Sequence, residues 1–168
     1  MTRELKYVTF DTDMGWIGIL SSAIGLLRTT LPQHSAQEAH QLLGVSYATW
    51  SPYLFDDLIQ RFRTYFSGRK ATFPDKLDLS GATAFERQVW EITRHIPYGK
   101  TRSYTWVAGQ IEKPMAVRAV GQALGRNPLP IIVPCHRVLA KNGKLGGYSG
   151  GVEMKKYLLY LETAVNIG

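Results

Sequence analysis

The chain has 168 residues, enough for one medium domain or two small ones with a buried core. Hydrophobic residues make up 45% and charged residues 20%, which excludes a disordered or fibrous chain. The formal net charge of +7 comes wholly from the second half: residues 1–80 hold eight Lys/Arg against eight Asp/Glu, residues 81–168 twelve against five.

That asymmetry points to a polyanion partner for the C-terminal half, a solvated basic face being the plain alternative. Met1-Thr-Arg-Glu opens without the apolar stretch of a signal peptide, and no apolar run reaches membrane-spanning length. The expectation is a soluble intracellular protein without a membrane partner. Cys135 is the one cysteine, so an intramolecular disulfide and a Cys-rich zinc site are excluded. His34, His40, His95 and His136 show no metal-ligand spacing, and no metal or cofactor is expected. A lone cysteine is usually a small buried hydrophobe, so its neighbours must decide its role.

In chain order, Lys6 to Asp13, Gly15 to Ser21 and Ile24 to Arg28 alternate apolar and polar residues, predicting three short antiparallel strands. Ser35 can cap a helix to Leu43. Phe55, Leu58, Ile59, Phe62 and Phe66 recur at helical spacing, and Gly68 stops that helix. Arg69 to Gly81 reads as a solvated linker, placing a domain boundary near 75–81 and dividing the chain into 1–78 and 79–168.

The second part reads as mainly helical. Phe85, Val89, Ile92 and Ile96 give an amphipathic helix ending at Pro97-Tyr-Gly. Ser103 is a good N-cap for a helix to about Ile111, and Pro114 suits the first turn of another ending near Gly125. With a tight Glu112-Lys113 connection, the pair predicts a helix-turn-helix. Five glycines between Gly143 and Gly151 predict a pliable loop, and a last helix carries Met154, Tyr157, Leu158 and Leu161 on one face. The fold class expected is α+β: a small N-terminal antiparallel sheet with helices, then a mainly helical domain.

The second helix of the pair has a core face of Ala116, Val120, Ala123 and Leu124. Its other face bears Val117, Arg118, Gly121, Gln122 and Gly125. An interior glycine costs a helix roughly 1 kcal/mol relative to alanine, so its use suits a groove wall coming very close. Arg118 on that bare surface could occupy a gap in a base stack; close helix packing with a solvated arginine is the alternative. A helix-turn-helix by itself suits a transcriptional regulator equally well.

A cysteine attacks only as thiolate, so Cys135 needs a nearby base or positive charge. His136 is adjacent, and although successive strand residues point to opposite faces, Pro134 allows a bend and a water could bridge the side chains. The imidazole would then need an orienting group. Glu162 is a candidate, since a carboxylate near a helix C-terminus opposes the macrodipole and gains from an outside partner. Taken alone, it also suits the surface.

The run Asn127-Pro-Leu-Pro-Ile-Ile-Val-Pro-Cys135-His-Arg-Val138 resembles the active-site signature of O6-alkylguanine-DNA alkyltransferases. The likeness extends in order through Ile96-Pro-Tyr-Gly-Lys-Thr-Arg-Ser-Tyr104, Val117-Arg-Ala-Val-Gly121, Gly147-Tyr-Ser-Gly-Gly151 and Glu162. It covers residues 83–162, with Tyr65-Phe-Ser-Gly68 fitting the end of the family's preceding helix, while the first eighty residues match only in outline. The resemblance implies a ribonuclease H-like N-terminal domain.

It also implies a single-use DNA repair protein whose partner is double-stranded DNA containing O6-alkylguanine, with no cofactor. O4-alkylthymine is open as a second substrate. The protein would act as a monomer in the cytoplasm, or in the nucleus of a eukaryote, with cooperative DNA binding left open.

By the same resemblance Cys135 is the alkyl acceptor, activated through water by His136, with Glu162 holding the imidazole. Tyr104 donates a proton toward guanine N3 and pushes on the target phosphate. Arg118 fills the hole left by a flipped nucleotide, and Asn127 braces the bend before the cysteine. Tyr148 and Ser149 wall the pocket near O6, the Val138 carbonyl reads the exocyclic amine, Pro130 supplies an apolar wall and Lys155 lines the pocket. Ser103, Ala119 and Gly121 complete the DNA-facing surface.

Three departures stand out. Gln122 replaces the small residue often found there, the N-terminal cysteines of zinc-bearing relatives are missing from this sequence, and a phosphotriester-sensing regulatory domain is not expected. Relatives that only flag lesions carry Trp at the acceptor position; this chain has Cys135.

Overall fold

The computed structural model describes residues 4–167, with side chains as far as Thr163. In the first unit, Met1–Ser80, β1 (Lys6–Thr12) and β2 (Gly15–Ser21) form a hairpin paired from Lys6↔Ser21 to Thr12↔Gly15. β3 (Leu26–Thr29) joins β2 antiparallel across a bulge at Leu20/Ser21. It starts two residues later than expected because Ser22–Gly25 makes a turn, closed by Ser22 N–H on the Gly25 carbonyl at 2.9 Å.

The expected purely antiparallel sheet needs correction. β4 (Thr49–Trp50) pairs parallel to β1, giving a mixed sheet of order β3-β2-β1-β4. Two residues are too few to show a period of two in the sequence.

Helices cover both faces of β2, which is why Ile17 to Ser21 are all buried. Leu20 packs with Leu5 and Leu43, the residue capping α1 (Ala36–Leu42). On the opposite face Phe10 meets Phe62 of α2 (Asp56–Phe66) at a ring distance of 5.9 Å. Ser35 caps α1 by accepting from Glu38 N–H, and Gly68 follows α2 at φ 91°, a left-handed stop suited to glycine.

The solvated linker is also corrected. Leu26 and Leu77 form a β-bridge, Arg61 clamps Asp75 at 2.6 and 2.8 Å, and buried Asp78 accepts from Ser22 and Ser80 hydroxyls. The polar composition of 75–78 serves these internal bonds rather than water.

The second unit, Gly81–Gly168, opens with α3 (Ala84–Arg94), whose N-terminus carries a capping box between Thr83 and Glu86. Trp90 on its buried face donates from its indole to the Ala123 carbonyl at 2.9 Å. β5 (Arg102–Ser103) leads into α4 (Tyr104–Gln110), capped by the Ser103 hydroxyl on Trp106 N–H at 2.9 Å. β5 pairs parallel with β6 (Val138–Leu139), and α6 (Val152–Ile167) closes the unit.

α5 (Val117–Gly125) starts later than predicted. Pro114 lies before it in a turn where Lys113 N–H bonds the Ala108 carbonyl at 2.9 Å and Glu112 takes a left-handed φ of 59°. The connection is therefore Ile111–Ala116 rather than a two-residue link. Further on, Ile131 takes a left-handed φ of 76°, and Cys135–Arg137 forms a 3-10 turn. No helix among the described residues is long and apolar enough to cross a membrane.

Candidate active site

Cys135 opens that 3-10 turn and is only 5% exposed, at the base of a cavity of about 390 Å³ in the second unit. The cavity gathers Tyr104 from α4, Arg118 and Gly121 from α5, and Tyr148 and Ser149 from the glycine-rich loop.

Asn127 ties this segment together. Its Nδ2 donates to Cys135 Sγ at 3.1 Å and to the Val133 carbonyl at 2.8 Å, while Oδ1 accepts from Leu129 N–H at 2.8 Å. The bracket spans Ile131, whose positive φ is costly for a β-branched residue. Burial pushes the Cys135 thiol up, against the Asn127 hydrogen bond, the Lys155 charge and the Tyr148 hydroxyl, which favour thiolate.

Behind the cysteine, His136 is fully buried and its Nε2 bonds the Glu162 carboxylate. Glu162 also accepts from Arg137 Nε at 2.8 Å, Arg137 Nη2 at 3.2 Å and Gly99 N–H at 3.0 Å. Burial alone would raise the carboxyl, but hydrogen bonds and charges from His136 and Arg137 win and hold it at about 2. Burial lowers His136, opposed by Glu162 and assisted by the Arg137 and Lys155 charges. An ionised carboxylate only accepts, so Nε2 carries the imidazole proton and Nδ1 is left as the basic nitrogen.

Lys155 is fully buried and bonds three carbonyls: Val138 at 2.8 Å, Leu145 at 2.5 Å and Gly147 at 3.1 Å. It thereby fastens the glycine-rich loop to β6, with its ammonium 5.7 Å from the Tyr104 ring centroid. Burial lowers it to about 8, with the Cys135 charge opposing. Burial raises Tyr104, whose hydroxyl reaches toward the Gly147 carbonyl at 3.5 Å. A thiol at an open cavity, with an imidazole and an ionised carboxylate buried behind it, can perform nucleophilic displacement.

Residues 84–164 match the family model "6-O-methylguanine DNA methyltransferase, DNA binding domain". The methylated-DNA–protein-cysteine methyltransferase of Mycobacterium tuberculosis is 39% identical over 160 residues, covering 95% of this chain and 93% of that one. The chain belongs to the methylated-DNA–protein-cysteine methyltransferase family. The inducible member from Bacillus subtilis is 52% identical over 98 residues, 58% of this chain and 54% of that protein. The crystal structure of the M. tuberculosis protein in complex with DNA superposes with a TM-score of 0.81 at 39% identity, covering 95% and 94% of the two chains. That of the Pyrococcus kodakaraensis O6-methylguanine-DNA methyltransferase gives 0.69 at 32% identity, covering 94% and 98%.

In this methyltransferase several residues expected at the site stand off the cavity wall. Ser103 is a helix cap, Ala119 is half-buried on α5, and Pro130 forms a bridge with Val133. Lys155 was expected to line the pocket; it is instead fully buried behind the wall, holding the Val138 carbonyl, because three carbonyls satisfy its ammonium there. Sequence reasoning missed Arg137, Gly99, the Ile96 carbonyl and Gly146. The one available signal was Arg137 itself, a charge inside an otherwise apolar run.

Proposed function

We propose that this methyltransferase repairs DNA by moving the alkyl group of O6-alkylguanine onto its own Cys135, once per molecule. The observation that carries the reading is a buried thiol facing the cavity, with the Asn127 amide at 3.1 Å from Sγ and the His136–Glu162 pair behind it.

Cys135 gives its proton through a water to His136 Nδ1, and the thiolate attacks the alkyl carbon. The S–C bond forms as the C–O6 bond breaks, and the electron pair departs with guanine. Tyr104 protonates the base at N3 as charge grows there, which makes guanine a better leaving group. The product thioether resists water, so the protein is spent.

The alkyl carbon lies inside a duplex, so the nucleotide must be extruded at a cost of a few kcal/mol, less for a badly paired lesion. α4, the turn and α5 act as a helix-turn-helix that enters the minor groove, with Arg118 occupying the vacated stack. Ser103, Ala119 and Gly121 lie along that surface. Tyr148 and Ser149 bound the O6 side, Pro130 backs the apolar wall, and the Val138 carbonyl reads the exocyclic amine while Lys155 holds it in place. Residues 79–168 are the DNA-binding and reacting domain, and 1–78 a ribonuclease H-like support. O4-alkylthymine is a second candidate substrate for the same cavity.

The test is intact mass after exposure to O6-methylguanine duplex or free O6-benzylguanine. The wild type gains one alkyl group and Cys135→Ala gains none. Binding without any mass gain would leave a lesion reader instead.

A further inference from the structure

Resting on that reading of the site, Arg137 has a part beyond it. We propose that Arg137, fixed by the turn from Ile96 to Gly99, is a positioning residue that neutralises Glu162 and so keeps His136 an uncharged base for Cys135. The arginine is only 7% exposed, so this guanidinium is withdrawn from any phosphate. Each of its three nitrogens donates inside the protein: Nε and Nη2 to Glu162 at 2.8 and 3.2 Å, Nη1 to the Ile96 carbonyl at 2.8 Å. Its plane lies over the Tyr98 ring at 5.7 Å. Gly99 N–H completes the carboxylate's shell from the same turn. The Ile96-Pro-Tyr-Gly motif thus acquires a task that recognition of DNA does not give it.

A lone buried carboxylate beside an imidazole favours the imidazolium, because the pair then gains Coulomb energy in a low dielectric. A second cation on that carboxylate removes the drive. The groups facing His136 are Glu162 and Lys155 from α6 and Arg137 from its own turn, while Tyr98 faces the carboxylate. Two of the three formal charges nearest the imidazole are positive, and both oppose its protonation. Lysine would supply charge without the planar fork that meets both carboxylate oxygens. His136 therefore waits neutral, and the proton that it receives is the one that Cys135 gives up.

The test uses 15N imidazole shifts and single-turnover rates of the full chain, with His34, His40 and His95 as internal references. In the wild type His136 stays uncharged, protonated on Nε2, from pH 8 down to pH 6. In Arg137→Gln its titration midpoint rises by about two units or more, and the acid limb of alkyl transfer moves with it. At pH 6 transfer to free O6-benzylguanine is then about tenfold slower, while at pH 8.5 it is little changed. Arg137→Lys restores the midpoint. An imidazolium in the wild type at pH 7 overturns the proposal, as does a folded Arg137→Gln protein with neither shift. Should Arg137→Gln fail to fold, the wild-type spectrum and Arg137→Lys decide. Absent alkyl transfer in the wild type would sink the functional reading alone, because the nitrogen shifts need no substrate.

Discussion

Lys155 and Glu162 lie seven residues apart on α6, on one face of the helix, and both are buried, at 0% and 1% exposure. Leu158 sits between them, also at 0%. The helix thus buries two opposite charges on either side of an apolar residue. Each is matched by oriented partners: three carbonyls for the ammonium, and His136, Arg137 and Gly99 for the carboxylate. Partners of this kind are what make buried charge tolerable.

Glu162→Gln should cost about 3 kcal/mol at pH 7, because it leaves the Arg137 charge uncompensated in the interior. The Glu162 carboxyl lies at about 2 against an ordinary 4.5, so its contribution is complete above 4.5 and fades as pH falls toward 2. His136 is lowered from 6.5, so the unfolded chain takes its proton first and stability also falls on acidification below that value. Urea denaturation of wild type and variant at pH 7, 5 and 3 checks this. The gap should narrow by about 2 kcal/mol at pH 3, and an unchanged gap would mean that the carboxyl is not depressed.

The sequence made the strands, the α2 periodicity and the Ser35 and Ser103 caps legible, because period and cap chemistry are local. It could not show that α6 buries Lys155 and Glu162: counting apolar residues selects Met154, Tyr157, Leu158 and Leu161, of which only Leu158 is fully buried. The backbone path of Ile131-Ile-Val133 was not legible either. β-branched residues favour strands locally, whereas the Asn127 bracket imposes a turn from outside the run. His136 was legible beside Cys135 and Glu162 as a candidate from the macrodipole argument, but the family resemblance was needed to choose that carboxylate, since 26 residues separate it from His136 in sequence. Arg137 stayed hidden because a basic residue in a basic domain reads as a surface charge.

Asn127→Asp should slow alkyl transfer by at least tenfold while leaving most of the fold intact. The new carboxylate would keep an acceptor for Leu129 N–H but place negative charge near Sγ, where the amide now donates. Like charge raises a thiol further, and burial has already raised this one. The rate of iodoacetamide labelling against pH reports the thiol directly. A labelling profile shifted to lower pH would contradict the account.

Gly146→Ala should destabilise the protein by about 1–2 kcal/mol and slow transfer by severalfold with DNA affinity nearly kept. Gly146 has φ 69°, and an added Cβ would stand 2.8 Å from the Tyr104 hydroxyl and 3.0 Å from its ring. The methyl group either strains the loop or displaces the phenol from the cavity wall. Thermal melts and single-turnover rates on duplex and free base separate the two. Both rates should fall together, since the phenol serves the leaving group in either substrate.

Arg118→Ala should leave reaction with free O6-benzylguanine within about twofold and slow reaction on duplex DNA by tenfold or more. Arg118 is exposed on α5 at the cavity, beside the small surface left by Gly121 and Gly125. It touches no group of the Cys135–His136–Glu162 relay, so the chemical step has no use for it. An extruded nucleotide leaves an unstacked gap worth a few kcal/mol, and a side chain filling that gap matters only when there is a stack to leave. Tenfold corresponds to about 1.4 kcal/mol, a modest share of that cost. Both substrates are followed by intact mass at equal protein concentration, and equal slowing on both would refute a role in base extrusion. On duplex DNA the wild type should also bind more weakly as salt rises, because phosphate contacts release counterions. The Arg118→Ala slope against log salt should flatten by clearly less than one phosphate's worth, about 0.9, whereas a side chain held on the backbone would lose all of it.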